Sequence, residues 1–176
     1  YMGAGIGNLT IADNAALSLI GNSQSGVGVS RWNSTTLSGF GAMDVTGTSV
    51  TGTGAQFAVG AGITMSGDSQ ATVHGVSTGG TGFKLGEFGY TTRANINLSE
   101  RSALTLSGES STGMGAVLMA ANENVTQNAT LNINGVSQSN IGVSAAVSGM
   151  NPAASDADSV TGASYVDINA FHVDGY

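Results

Sequence analysis

The chain has no cysteine, one proline, four cationic side chains and few aromatics. Each shortage removes a class of explanation. Without cysteine there is no disulfide framework and no thiolate set for structural zinc. The lone proline, Pro152, and a charged fraction of only 9 % argue against a disordered chain, which is normally rich in both. Arg31, Lys84, Arg93 and Arg101 face eleven acids, for a net charge of −7. Phosphate backbones and anionic surfaces require clustered Lys and Arg, so neither nucleic acid nor a membrane surface is an expected partner. No apolar run reaches the roughly 18 residues of a spanning helix, and no basic segment opens the chain. A chain free of cysteine fits a secreted bacterial protein or a long fibre, though many cytosolic chains share the trait.

What is present is repetition. Gly21-Asn-Ser-Gln-Ser-Gly-Val-Gly28 returns, as Gly-x-Ser-x-x-(Gly/Asn)-x-Gly, at Gly47, Gly75, Gly108 and Gly135, in steps of 26, 28, 33 and 27 residues. A period in this range marks an array of one small unit. An approach of about a dozen residues precedes most copies, as in Leu9-TIADNAALSLI-Gly21, Ile63-TMSGDSQATVH-Gly75 and Ile96-NLSERSALTLS-Gly108. Each approach holds two short alternating stretches around a polar turn, and a third stretch, such as Phe83/Leu85, follows the motif. Alternation with period 2 and no sustained 3.6-residue pattern reads as three short strands per unit. The segment from Val166 to Gly175 reads as one more approach that ends as its glycine arrives, and the opening Tyr1-Met-Gly-Ala-Gly reads as the middle of a longer chain.

Three strands per turn can coil into a parallel β-helix or fold back as antiparallel hairpins. The coil is favoured because like residues recur at like positions. Ser23, Ser49, Ser77, Ser110 and Ser137 would form one continuous ladder, as in-register stacking produces. The expected architecture is an all-β solenoid of about six rungs, each of about 27 residues. At the strand spacing it would be roughly 30 Å long.

Departures from the period mark chain that leaves the coil, and loops carry recognition more often than rungs do. One insertion covers 86–93, with Phe88, Tyr90 and Arg93; a longer one covers 149–164, with Pro152, Asp156 and Asp158. Arg31-Trp32 carries the single tryptophan. These eight residues are the candidate receptor contacts, since Trp, Tyr and Arg dominate binding hot spots. Each has a plainer reading: Arg31-Trp32 stacks over a rung edge, Phe88 and Tyr90 pin their loop to the coil, and the two aspartates are a solvated turn rather than a calcium site.

Motifs of chemistry are few. Gly75-Val-Ser-Thr-Gly79 matches a nucleophile elbow on paper, but it is one copy of the repeat and lacks the strand–turn–helix setting. In Gly79-Gly-Thr-Gly82, Lys84 stands where a calcium-binding glycine repeat needs Asp. His74 and His172 fall in corresponding approach segments, which suits a structural role for both, and no third ligand accompanies them. Asp13, Asp68 and Glu100 occupy nearly equivalent turn positions rather than a paired-carboxylate site. The Asn-x-Ser/Thr triplets at Asn8, Asn33, Asn97, Asn124 and Asn128 follow from the Asn- and Thr-rich composition. No catalytic, cofactor-binding or metal-ligating set is expected.

The strings ALTLSGESSTGMGAVL, ATVHGVSTGGTGFKL and LNINGVSQSNIGVSAAV resemble the repeats of large bacterial exoproteins of the filamentous haemagglutinin type. That group includes two-partner-secreted adhesins and the stick proteins of contact-dependent growth inhibition; autotransporter passengers have similar rungs. The resemblance implies a right-handed parallel β-helix on the bacterial cell surface. It further implies a non-enzymatic rod that binds an outer-membrane protein or glycan on a target cell. The shared motif is structural, so no functional residue is carried over. The alternatives are a polysaccharide-degrading β-helix of the tailspike or lyase kind, and a pure spacer.

Overall fold

The computed structural model describes residues 7–31, 33–58, 60–86, 94–145, 159–160 and 165–172. The first rung comprises β1 (Leu9–Ile11), β2 (Ala16–Ser23) and β3 (Val29–Arg31), and the second β4 (Thr35–Leu37), β5 (Ala42–Ser49) and β6 (Ala55–Phe57). The third comprises β7 (Ile63–Met65), β8 (Gln70–Ser77) and β9 (Phe83–Leu85), and the fourth β10 (Ala94–Leu98), β11 (Ala103–Ser110) and β12 (Ala116–Leu118). A fifth follows as β13 (Ala120–Val125), β14 (Thr130–Ser137) and β15 (Val143–Ala145), and then β16 (Ser159–Val160) and β17 (Tyr165–His172).

Every strand pairs in parallel with its equivalent one rung along, never with its chain neighbour. Three walls result: A, from the first strand of each rung, B from the second and C from the third. The expected parallel β-helix is therefore the fold. Among the described residues, walls A and B hold six strands and wall C five. Four rungs are described in all three walls with their side chains, so the coil amounts to about four turns rather than the six rungs that the period suggests.

Alternation along each strand sorts residues into the interior. Leu37, Met65, Leu98 and Val125 stack inward from wall A, Val45, Val73, Leu106 and Ile133 from wall B, and Phe57, Leu85 and Leu118 from wall C, all 3 % exposed or less. Phe57 and Phe83 add a tilted ring pair with centroids 6.4 Å apart. Burying an aliphatic side chain stabilises by about 1.5–3 kcal/mol. Because the columns are continuous, each rung completes the core of the next, which is why one unit alone does not fold.

The repeated motif forms the corner between walls B and C. The backbone there folds back so tightly that a Cβ on Gly47, Gly75, Gly108 or Gly135 would lie 2.0–2.1 Å from the carbonyl oxygen of Gly54, Gly82, Gly115 or Gly142. Only glycine fits there, and at the other end of the motif a Cβ on Gly54, Gly82 or Gly115 would lie 2.3–2.5 Å from the amide nitrogen of Val76, Glu109 or Val136. Its serine secures the corner. The Oγ of Ser49, Ser77, Ser110 and Ser137 donates to the carbonyl of Gly26, Gly52, Gly80 and Gly113, one rung back, at 2.6–2.8 Å. The same oxygens accept the amide three residues on, from Gly52, Gly80, Gly113 and Asn140, each at 2.9 Å. The predicted ladder from Ser23 to Ser137 stands in full register.

At the opposite end of wall B, the turn out of wall A uses a left-handed residue on each rung. Asp13 (φ +57°), Gly39, Gly67 and Glu100 (φ +62°) fill that position in turn. Asp13 and Glu100 are thus equivalent, with Asp68 one residue later.

One reading of the sequence needs correction. Ala170, not Gly175, lies opposite Gly135, because β17 begins its pairing at Tyr165↔Thr130. His74 and His172 do fall in corresponding strands of wall B, at different register positions: His172 lies opposite Ser137, whereas His74 pairs with Thr46 and Ser107.

Candidate recognition surface

Wall B has eight-residue strands against three in most strands of the other walls. Its outer face is the broadest regular surface of the coil, about 23 Å along the strands by about 24 Å across six of them. Outward residues form columns set by the register. One runs Ser18, Asp44, Thr72, Thr105 and Asn132; the next runs Ile20, Thr46, His74, Ser107 and Asn134; the third runs Asn22, Thr48, Val76, Glu109 and Val136. Hydroxyl and amide groups dominate, because a solvated parallel sheet needs side chains that are β-compatible yet polar. Some of them bond across rungs, as Thr48 Oγ1 does to Asn22 Oδ1.

One group on this face brings charge and a titratable ring together. The Ser107 hydroxyl donates to the Val73 carbonyl at 3.1 Å and lies 2.9 Å from Nδ1 of His74. The other ring nitrogen, Nε2, is 3.8 Å from Oε1 of Glu109. Sequence reading missed this grouping, since the three residues lie up to 35 positions apart. Register makes it: Ser107 is directly opposite His74, and Glu109 is its diagonal neighbour two residues on.

A second polar pair marks the corner between walls A and B. Arg101 makes a bidentate contact with Asp68 across one rung, Nη2 to Oδ2 at 2.7 Å. The guanidinium holds the Asp68 carboxyl below its ordinary range, and the carboxylate in turn raises Arg101. Asp68 and Arg101 follow the equivalent left-handed residues Gly67 and Glu100, so their side chains meet in register.

Of the eight residues singled out as receptor contacts, Arg31 is described. It is 7 % exposed and stands in the inward column of wall C, opposite Phe57. Its Nε donates to Thr35 Oγ1 at 3.3 Å, and Nη2 to the carbonyls of Gly7 and Ser34, each at 3.2 Å. Burial lowers its pKa. The guanidinium therefore ties the start of the coil together from within. Trp32, Phe88, Tyr90, Arg93, Pro152, Asp156 and Asp158 lie outside the described residues, as do both insertions apart from Gly86 and the strand Ser159–Val160. That strand falls within 149–164 and pairs with Asn124 and Val125, so part of the segment belongs to wall A. Exposed apolar side chains among the described residues sit at the rims: Ile20 on wall B, Phe40 at the A–B turn, and Val50 and Ile141 at the B–C corner.

Comparison with protein-family models, with curated proteins and with solved structures finds no match to this chain.

Proposed function

We propose that the chain is a non-enzymatic rod segment of a secreted bacterial filamentous adhesin or contact-dependent growth inhibition effector. It projects from the cell and binds a receptor, an outer-membrane protein or a glycan, on a target cell. One observation carries the reading: the groups that recur in every repeat are committed to stacking. The motif serines hydrogen-bond between rungs and the motif glycines fill corners with no room for a Cβ. Selection of that kind maintains a stiff, extensible body rather than a site. Specific contact then falls to chain that departs from the period, at 86–93 and 149–164, where an added loop costs little stability.

The test is binding of the labelled chain, with flanking rungs of its parent, to whole bacterial and animal cells. The control replaces 149–158 with a short Gly-Ser turn but keeps Ser159–Val160, which pairs with Asn124 and Val125. A second control replaces 87–93. Saturable binding to one cell type, lost in either control, is the expected result. No binding to any cell would reduce the segment to a spacer, and cleavage of a polysaccharide panel would replace the reading with an enzymatic one.

A further inference from the structure

We propose that Asn128, in the turn from β13 to β14, is the acceptor for an N-linked sugar. Composition accounts for the number of Asn-x-Ser/Thr triplets in the chain; the fold decides which of them an enzyme can reach. The chemistry asks for three things together: a side-chain amide open to solvent, backbone free to enter an enzyme's cleft, and an uncommitted hydroxyl two residues on.

Four of the five triplets fail on at least one count. Asn33 is half-buried, and Thr35 is 0 % exposed, with its Oγ1 accepting Arg31 Nε. Asn97 and Asn124 lie opposite each other in paired strands of wall A. The hydroxyls that follow them, of Ser99 and Thr126, donate to the Met65 and Leu98 carbonyls one rung back, each at 3.3 Å. Asn8 is exposed, but Leu9, between it and Thr10, is held to wall A by its amide bond to Ser34 and its pairing with Thr35.

Asn128-Ala129-Thr130 meets all three conditions. Asn128 is exposed, and its turn departs from those of the rungs before it. In rungs two to four, the residue after the left-handed one is Phe40, Asp68 or Arg101. Its amide donates to the carbonyl of Asp13, Gly39 or Gly67 one rung back, at 2.7–3.0 Å. In the fifth rung Gln127 and Asn128 are both left-handed, at φ +57° and +69°. Among the described residues, Asn128 makes no equivalent bond to Glu100. Two successive non-glycine residues at positive φ are locally unfavourable, and here they accompany a turn tip released from the ladder. The ends of the turn stay fixed, Thr126 N to Leu98 O at 2.9 Å and Ala129 N to Thr126 O at 3.2 Å. The Thr130 hydroxyl bonds to no described residue.

The donor class is a sugar carried on a diphosphate, of a nucleotide or of a lipid. In the transfer, Nδ2 of Asn128 attacks the anomeric carbon and the C1–Nδ2 bond replaces the C1–O bond to phosphate. The phosphate leaves with the bonding pair, and Nδ2 gives up one proton to a base of the transferase. A sugar placed there stands off the corner between walls A and B and leaves the stacked core untouched. The site stands on its own geometry and does not depend on the adhesin reading.

The test incubates the folded chain in two arms. One supplies a soluble N-glycosyltransferase with UDP-glucose, the other a membrane oligosaccharyltransferase with a polyprenyl-diphosphate oligosaccharide. Intact mass and peptide fragmentation read the product. A single added glycan, mapped to Asn128 in at least one arm, is expected, and the productive arm identifies the donor. Asn128→Gly, which suits left-handed backbone, and Thr130→Ala, which leaves the asparagine in place, should each lose the addition; Asn124→Gln should keep it. Circular dichroism of all three variants should match the parent, since none of these side chains lies in the core. No addition in either arm, addition to other asparagines instead, or addition that survives Asn128→Gly would each overturn the proposal. So would modification of a peptide spanning 122–132 beside an unmodified folded chain, because the fold would then conceal the triplet.

Discussion

Replacing Ser77 with alanine isolates what holds one rung to the next. Ser77 is 2 % exposed, and its Oγ joins two backbone groups, donating to Gly52 O at 2.7 Å and accepting Gly80 N at 2.9 Å. The change removes one oxygen and leaves the fold's shape intact, so cavity effects are small. A hydrogen bond contributes about 1 kcal/mol net, and a buried group stranded without a partner costs about 1–3 kcal/mol. With a donor and an acceptor both losing their partner, each at a part-buried site, the expected loss is about 2–4 kcal/mol, the lower part of the sum of two such costs. Amide hydrogen exchange reads this locally. Protection of Gly80 should fall by about 30-fold to several hundred-fold, at one decade per 1.36 kcal/mol. Gly113, whose amide rests on Ser110, should change far less. Ser110 donates to Gly80 O, so Ser77→Ala and Ser110→Ala act on neighbouring amides and should not be additive. A Ser77→Ala protein within 0.5 kcal/mol of the parent, by urea melts, with Gly80 still protected would refute the ladder as a source of stability (about the spread of ordinary surface changes).

Other consequences are equally open to measurement. Gly75→Ala would place a Cβ 2.1 Å from Gly82 O, a backbone atom that cannot turn aside; it should cost about 3 kcal/mol or more in thermal melts, at the upper end of overpacking effects. Gly7→Ala, with nothing within 4 Å, should be neutral by the same assay. Arg31→Ala removes the guanidinium's bonds to the Gly7 and Ser34 carbonyls, although Ser34 keeps the Leu9 amide, and each charged hydrogen bond contributes about 1.5–3 kcal/mol. Because rungs couple to nearest neighbours, the loss should appear as faster exchange over 7–37, with 94–118 unchanged. The Asp68 carboxyl is depressed by its hydrogen bond to Arg101, so the pair helps the folded state above the ordinary aspartate range and ceases to as pH falls through the lowered folded pKa. The parent and Asp68→Asn should therefore differ slightly in urea midpoint at neutral pH, converge in acid, and converge also in high salt.

Much of the architecture was readable without coordinates because a solenoid writes its third dimension as a period. Motif spacing identified the rung, alternation identified the strands, and the matched serines predicted a ladder that the structure contains. Reading stopped where register decides. Val166 to Gly175 looks like an approach to a glycine, yet Ala170 occupies that place, because the strand pairs with Thr130–Ser137 from Tyr165 onward. Arg31 looks like a hot-spot residue beside a tryptophan, yet β3 turns it inward onto the carbonyls of Gly7 and Ser34. His74 and His172 fall in corresponding strands of wall B, as the sequence suggests, but only register shows that His74 has Ser107 and Glu109 as neighbours.

The sequence alone determined the class of fold, since glycine at corners, serine beside it and alternating aliphatics leave little but an in-register parallel coil. Tertiary structure alone decided which side chains meet across rungs. A shift of one residue in strand pairing turns every side chain to the opposite face, and the surface chemistry of a solenoid is made between rungs about 4.8 Å apart in space but nearly thirty residues apart in the chain.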